Sequence, residues 1–230
     1  MAGKRKKFSI YGDSLSTLAG YQPDRYAVHY QGEFAEKSHV TSMEDTWWGM
    51  VIDHFDGELV SCNAFSGSMV SSLKKSGITF PSGASEERMN NLLSAGVPDV
   101  LIVYLGTNDW YQLVETDDFE EPWWRTFSGA YQHMMSGLRK RFPKTEIWCL
   151  NLTYSRNMMF HFYPHQFQSM CEFNQVIAKT AQYYNAKVID LWTNAAEYDS
   201  EDLAHANREG MKKIAKAVIE EISATGVNKN

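Results

Sequence analysis

The sequence has little of what would mark several protein classes. Its 230 residues include three cysteines, Cys62, Cys149 and Cys171. An odd trio with no C-x-x-C pair offers neither a closed disulfide framework nor a zinc-ligand spacing. Such cysteine usage is expected of a reducing compartment, and the chain reads as cytoplasmic. Positive charge is not in surplus: 22 Lys+Arg stand against 28 Asp+Glu, a formal net charge of −6. A nucleic-acid binder normally carries the opposite balance. No run approaches the ~18 uninterrupted apolar residues that a membrane-spanning helix needs. The one basic cluster, Lys4-Arg5-Lys6-Lys7, leads into a strand-like segment without an apolar stretch. Residues 1–7 therefore read as a flexible, solvated N-terminus rather than a leader. Neither G-x-G-x-x-G nor a Walker lysine loop occurs, which disfavours a nucleotide site. No linker, repeat or shift of composition divides the chain, so 1–230 reads as one domain.

What the chain does have is alternation. Short β-prone runs lie at 8–11, 59–63, 99–105, 146–152 and 187–191, and 99–105 is apolar almost throughout, as expected of a parallel strand covered on both faces. Between them, apolar residues recur at helical spacing: Trp47, Trp48, Val51, Ile52 and Phe55; Phe127, Tyr131, Met134 and Leu138; Met170, Phe173 and Ile177; Met211, Ile214 and Val218. Ser42 with Asp45 three residues on resembles a helix start. This order predicts βαβ crossovers and a mostly parallel sheet. Two long connections, 15–41 and 110–126, leave the carboxyl ends of strands, where open α/β sheets build their sites.

Four segments at those ends could carry chemistry. Gly12-Asp13-Ser14 follows the first strand; alone it is equally a plain turn or helix cap. Asn63 to Ser68, with Gly67, follows the second, where a glycine lets a backbone N–H approach a ligand. Gly106-Thr107-Asn108-Asp109 ends the third, and an Asn there can direct its amide at a developing oxyanion. Near the C-terminus, Asp202 stands three residues before His205, close enough to accept from Nδ1–H and leave Nε2 as a base. In a parallel sheet all four gather along one edge. Together they supply a nucleophile, a base with its orienting carboxylate and two oxyanion donors, the parts that acyl transfer requires.

These blocks, Gly12-Asp13-Ser14-Leu15-Ser16, Gly67, Gly106-Thr107-Asn108-Asp109 and Asp202…His205…Asn207, resemble in order and spacing those of the SGNH/GDSL hydrolases. The resemblance implies a flavodoxin-like three-layer α/β/α sandwich with five parallel strands. It also implies Ser14 as nucleophile, His205 as general base and Asp202 as its orienter. The Ser14 N–H, the Gly67 N–H and the Asn108 side chain would form the oxyanion hole, and no cofactor is required. Ala206 departs from the proline that the family often has there, which could loosen the turn carrying His205.

Weaker candidates for substrate contact are Asp13, Trp110, Tyr111, His161 and Tyr163. The i, i+4 pair His161 and His165 could suggest a metal, but Pro164 between them disfavours a regular helical pair, and no metal is expected. Trp123 and Trp124 are further aromatics expected in loops at the site edge. The absence of a lid-like apolar segment argues against bulk lipid. An aromatic rim suits a small-molecule ester with a short acyl group, an acetylated sugar first among them. A lysophospholipase or thioesterase activity, or a non-catalytic glycan- or protein-binding domain, stands as the alternative.

Overall fold

The near-continuous apolar runs become the strands of one parallel sheet. The computed structural model describes residues 5–72, 82–116, 123–159 and 164–224. Strands β1 (Lys7–Gly12), β2 (Glu58–Ala64), β3 (Val100–Tyr104), β4 (Glu146–Leu150) and β5 (Lys187–Ile189) pair in the order β2-β1-β3-β4-β5, every pair parallel. The described helices are α1 (Gly32–Ser38), α2 (Trp47–His54), α3 (Glu86–Ser94), α4 (Thr107–Tyr111), α5 (Phe127–Arg141), α6 (Arg156–Met159), α7 (Pro164–Tyr183), α8 (Leu191–Asn194) and α9 (Arg208–Ala224).

The period of two along each strand divides the core. Phe8, Ile10, Val100, Ile102, Trp148 and Leu150 face a cluster completed by Trp47 and Trp48 of α2 and by Ile214 and Val218 of α9. Tyr11, Leu101, Val103, Ile147 and Cys149 face the other side, toward Met134 and Leu138 of α5 and Phe173 and Ile177 of α7. Helices therefore cover both faces, and β3 is buried at each of its positions. The parallel sheet is the one that the alternation predicts, and the α/β/α sandwich is the one that the family resemblance implies.

Local chemistry explains where the elements differ from expectation. The helix start at Ser42 is divided in two. A capping box of Ser42 and Asp45 closes a 3₁₀ turn over Met43–Asp45. Extended Thr46 (ψ 149°) then interrupts the chain, and its hydroxyl accepts from Gly49 N to start α2 afresh. Within 15–41 lies α1, which buries only Ala35 and Ser38 and so shows no apolar stripe. Helix α3 also escapes the periodicity, because its inward face carries Arg88 beside Met89 and Leu92. The expected free N-terminus is tied down at residues 5–7. Arg5 Nε donates to Asp56 O at 3.3 Å, Lys6 O accepts from Glu58 N at 2.8 Å, and Lys7 opens β1.

Candidate active site

Ser14 sits one residue beyond the strand-ending Gly12 and Asp13. A Cβ on Gly12 would lie 2.6 Å from Ser16 Oγ, so only glycine permits this tight turn. Asp13 caps the 3₁₀ turn Ser14–Ser16, its Oδ1 accepting from Leu15 N at 3.1 Å. That turn lifts the Ser14 hydroxyl above the carboxyl edge of the sheet.

His205 reaches the same point from the far end of the chain. Its Nε2 lies 2.9 Å from Ser14 Oγ, and its Nδ1 lies 2.7 Å from Asp202 Oδ2. The other carboxylate oxygen, Oδ1, accepts from the backbone N–H of Ala204 at 2.8 Å and of His205 at 2.6 Å. Burial pushes the Asp202 carboxyl up, but the ring and backbone N–H donors and the charge of His205 outweigh it and hold the group well below the usual carboxylate range.

Ala206 does not leave this irregular turn loose. Side chains from elsewhere satisfy its carbonyls in succession: Asn157 Nδ2 and Ser200 Oγ on Asp202 O, Ser155 Oγ on Leu203 O, Tyr198 OH on Ala204 O and Tyr30 OH on Ala206 O. Tyr30 and Tyr198 are buried, so this grip is shielded from water. No spacing in the sequence announces Asn157, Ser155 or Tyr30, because each acts across the fold, whereas Ser200 and Tyr198 reach the turn from just before it.

The two segments expected to form the oxyanion hole are joined to each other. Gly67 takes φ 80°, a left-handed conformation natural only to glycine, in the turn where Ser68 N donates to Phe65 O at 3.0 Å. Asn108 Nδ2 donates to Ser68 O at 2.9 Å, which leaves the second N–H of that amide for another acceptor. Asp109 holds the continuation, accepting from Val70 N at 2.7 Å and Ser71 N at 2.9 Å. Arg88, 3% exposed, binds the turn from below, donating to Gly12 O, Asn63 O, Asn63 Oδ1 and Ser68 Oγ.

Ser14, Asn108, Asp202 and His205 line one cleft of about 320 Å³, whose apolar wall is Leu15, Tyr111, Met158 and Leu203. Gly67 is not among its lining residues. Tyr111 is on the cleft and 58% exposed. Trp110 is not a rim residue: it is 2% exposed in the core, and its indole donates to Ser169 Oγ at 3.0 Å. Both belong to α4 rather than to a loop, since residues 107–111 coil into a helix directly after Gly106. Trp123, stacked on His133, and Trp124 line a separate groove. His161 and Tyr163 lie outside the described residues.

Asp13 borders the cleft, yet it is 1% exposed and its Oδ2 has no hydrogen-bond partner among the described residues. Burial pushes this carboxyl from 3.8 up to about 7, against the Leu15 N–H and the charges of His205 and Arg88. The folded state thus holds a proton that the unfolded chain releases above its ordinary value, and stability falls as pH rises from about 4 to about 7. Asp13→Asn abolishes this titration. Its effect on the melting temperature, relative to the parent chain, is expected to become more favourable between pH 4 and pH 8 in paired thermal melts.

His29, from the loop between the 3₁₀ turn and α1, was not apparent from the sequence. Its ring stacks on His205 with centroids 3.4 Å apart and planes 18° from parallel. Ligand atoms of His29, Asp202 and His205 lie within 4.8 Å of one another. Stacked imidazoles direct their lone pairs side by side, however, and both His205 nitrogens are engaged, so this cluster fits a tetrahedral metal poorly.

The model of a family described as GDSL-like lipase/acylhydrolase matches residues 6–222. A candidate GDSL-like lipase from Bacteroides ovatus superposes with a TM-score of 0.77 at 24% identity, covering 96% of this chain and 99% of that one. Est24, a carbohydrate acetylesterase from Sinorhizobium meliloti, gives 0.65 at 13% identity, covering 96% and 100%. An aryl esterase of M. smegmatis gives 0.62 at 16% identity, covering 95% and 99%. Among curated proteins no sequence matches. No helix among the described residues is long and apolar enough to cross a membrane. With a family match over nearly its whole length and the sheet order to go with it, the chain belongs to the GDSL-like lipase/acylhydrolase family.

Proposed function

We propose that the protein is a serine carboxylic ester hydrolase that works through an acyl-enzyme on small esters with a short acyl group. The observation that carries this reading is the unbroken line from Asp202 Oδ2 through His205 to Ser14 Oγ, with contacts of 2.7 and 2.9 Å. Its Nε2 takes the Ser14 proton as Oγ attacks the ester carbonyl. The oxyanion is received by the Ser14 and Gly67 N–H groups and by the free N–H of Asn108. The imidazolium then protonates the departing alkoxide, and water repeats the sequence to release the acid. No step calls for a metal or cofactor.

Substrate size follows from the cleft. About 320 Å³ lies at the small end for a ligand site. The partly exposed Tyr111 offers an aromatic face on which a sugar ring can rest. An acetylated carbohydrate is the lead substrate class. The apolar wall of Leu15, Met158 and Leu203 favours a second reading, a longer acyl chain or an aryl group.

A panel of nitrophenyl esters of rising acyl length, run beside acetylated oligosaccharides, separates the two. Under the lead reading kcat/KM peaks at two to four carbons (an estimate of about that length from the small cleft), with acetate released from the sugar. A peak at long chains would overturn the short-acyl assignment. No turnover of any ester would favour the non-catalytic binding domain instead.

A further inference from the structure

We propose that His29 is a positioning residue for His205: its flat ring holds the catalytic imidazole in line with Ser14 and stabilises the imidazolium formed on attack. This role rests on the hydrolase reading given above. The rings lie 3.4 Å apart and 18° from parallel, so the His205 imidazole cannot rotate about its Cβ–Cγ bond without striking His29. Phe34 of α1 backs His29 edge-on, with centroids 4.0 Å apart. The backbone of the stacking residue is fixed to the nucleophile's own turn. His29 N donates to Thr17 Oγ1 at 2.9 Å, and that hydroxyl donates to Ser14 O at 2.9 Å.

The ring acts through its face. His29 Nε2 is buried with no hydrogen-bond partner among the described residues, and His29 is absent from the cleft lining. The serine proton faces His205 Nε2, so His29 acts on the reaction through His205. A neutral aromatic face attracts a cation, so it favours the imidazolium of His205 over its neutral form. That requires His29 itself to stay uncharged. Burial, then the adjacent charge of His205, pushes its imidazole down to about 4, against the pull of Asp202.

The groups that face His205 come from several elements. Asp202 and Ser14 bind its nitrogens. Asp13 acts on it through charge from the end of β1, and Tyr30 and Tyr198 hold the carbonyls of Ala206 and Ala204. None of these is altered by exchanging the His29 ring.

Two substitutions separate the face from the bulk. His29→Phe keeps a flat ring, whereas His29→Leu fills the space and excludes water without a π-face. His29→Phe should retain kcat within about twofold and leave the acid limb of the kcat/KM profile in place. His29→Leu should lower kcat about three- to tenfold with KM unchanged, and move that limb about half a unit to lower pH. Equal loss in both variants, or no loss in either, would overturn the proposal.

Rates are expressed per serine titrated by an organophosphonate, so a misfolded fraction does not count. The unmodified chain gives a second test. Ring protons of His29 and His205 should show a nuclear Overhauser contact, with His29 neutral down to about pH 4. Absence of that contact would overturn the stack whatever the variants do. Failure of the unmodified enzyme to turn over any ester overturns the hydrolase reading and the role with it, whereas turnover with matched variants overturns the role alone.

Discussion

Ester turnover by Ser14→Ala is expected to fall by about four to six orders of magnitude, the range seen when a triad nucleophile is removed. Among the described residues, no other hydroxyl is hydrogen-bonded to His205. The oxygen beside His205 Nε2 belongs to Ser14, and Ser16, two residues on, is fully buried. The fold should hardly notice the change. Asp13 still caps the turn and Thr17 Oγ1 still donates to Ser14 O, since neither bond uses the lost atom. An organophosphonate should label the parent chain at Ser14 alone, and the variant not at all. Full activity in the variant, or label on another residue, would end the assignment.

Asp202→Asn should cost two to four orders of magnitude in kcat, an estimate of about the loss known for the same change in serine triads. Here the reason can be traced atom by atom. Oδ1 receives two backbone N–H groups, so an asparagine must place its carbonyl oxygen there. Its NH₂ then faces His205 Nδ1, which can only accept. The ring is forced into the tautomer with the proton on Nε2, and that nitrogen can no longer take the Ser14 proton. His205→Ala should be at least as damaging, and the double variant little worse than His205→Ala, because the pair acts as a unit. Additive losses would show two residues working separately.

Strands and motifs were legible in the sequence for different reasons. β3 reads directly, because a strand buried on both faces must be apolar at every position, and Val100–Tyr104 is. The segments around Ser14, Asn108 and His205 read jointly, because parallel strands bring their carboxyl ends to one edge whatever lies between. Helix α3 did not read, since the chain places a guanidinium where an apolar stripe was sought. Yet Arg88 is what binds the ends of β1 and β2 to the Ser68 turn. Trp110 misled in the opposite direction: beside a motif it looks like a rim residue, but a five-residue helix turns it into the core. His29 acts by stacking and Tyr30 by a single long-range hydrogen bond, and neither leaves a period or a spacing to detect.

The hydroxyl and the imidazole are 191 positions apart, and that distance has a bearing on biosynthesis. β1, which ends two residues before Ser14, pairs with β2 and β3, so both of its neighbouring strands have been made once residue 104 is added. A chain at that stage has a nucleophile with nothing to deprotonate it. Tyr30 waits on Ala206, Tyr198 on Ala204, and the serine on a ring that is among the last parts made. On the proposed roles, a chain still growing at that point lacks its general base and remains chemically inert. Hydrolytic capacity then arrives in a single late step, and the unfinished enzyme cannot attack esters it meets on the way.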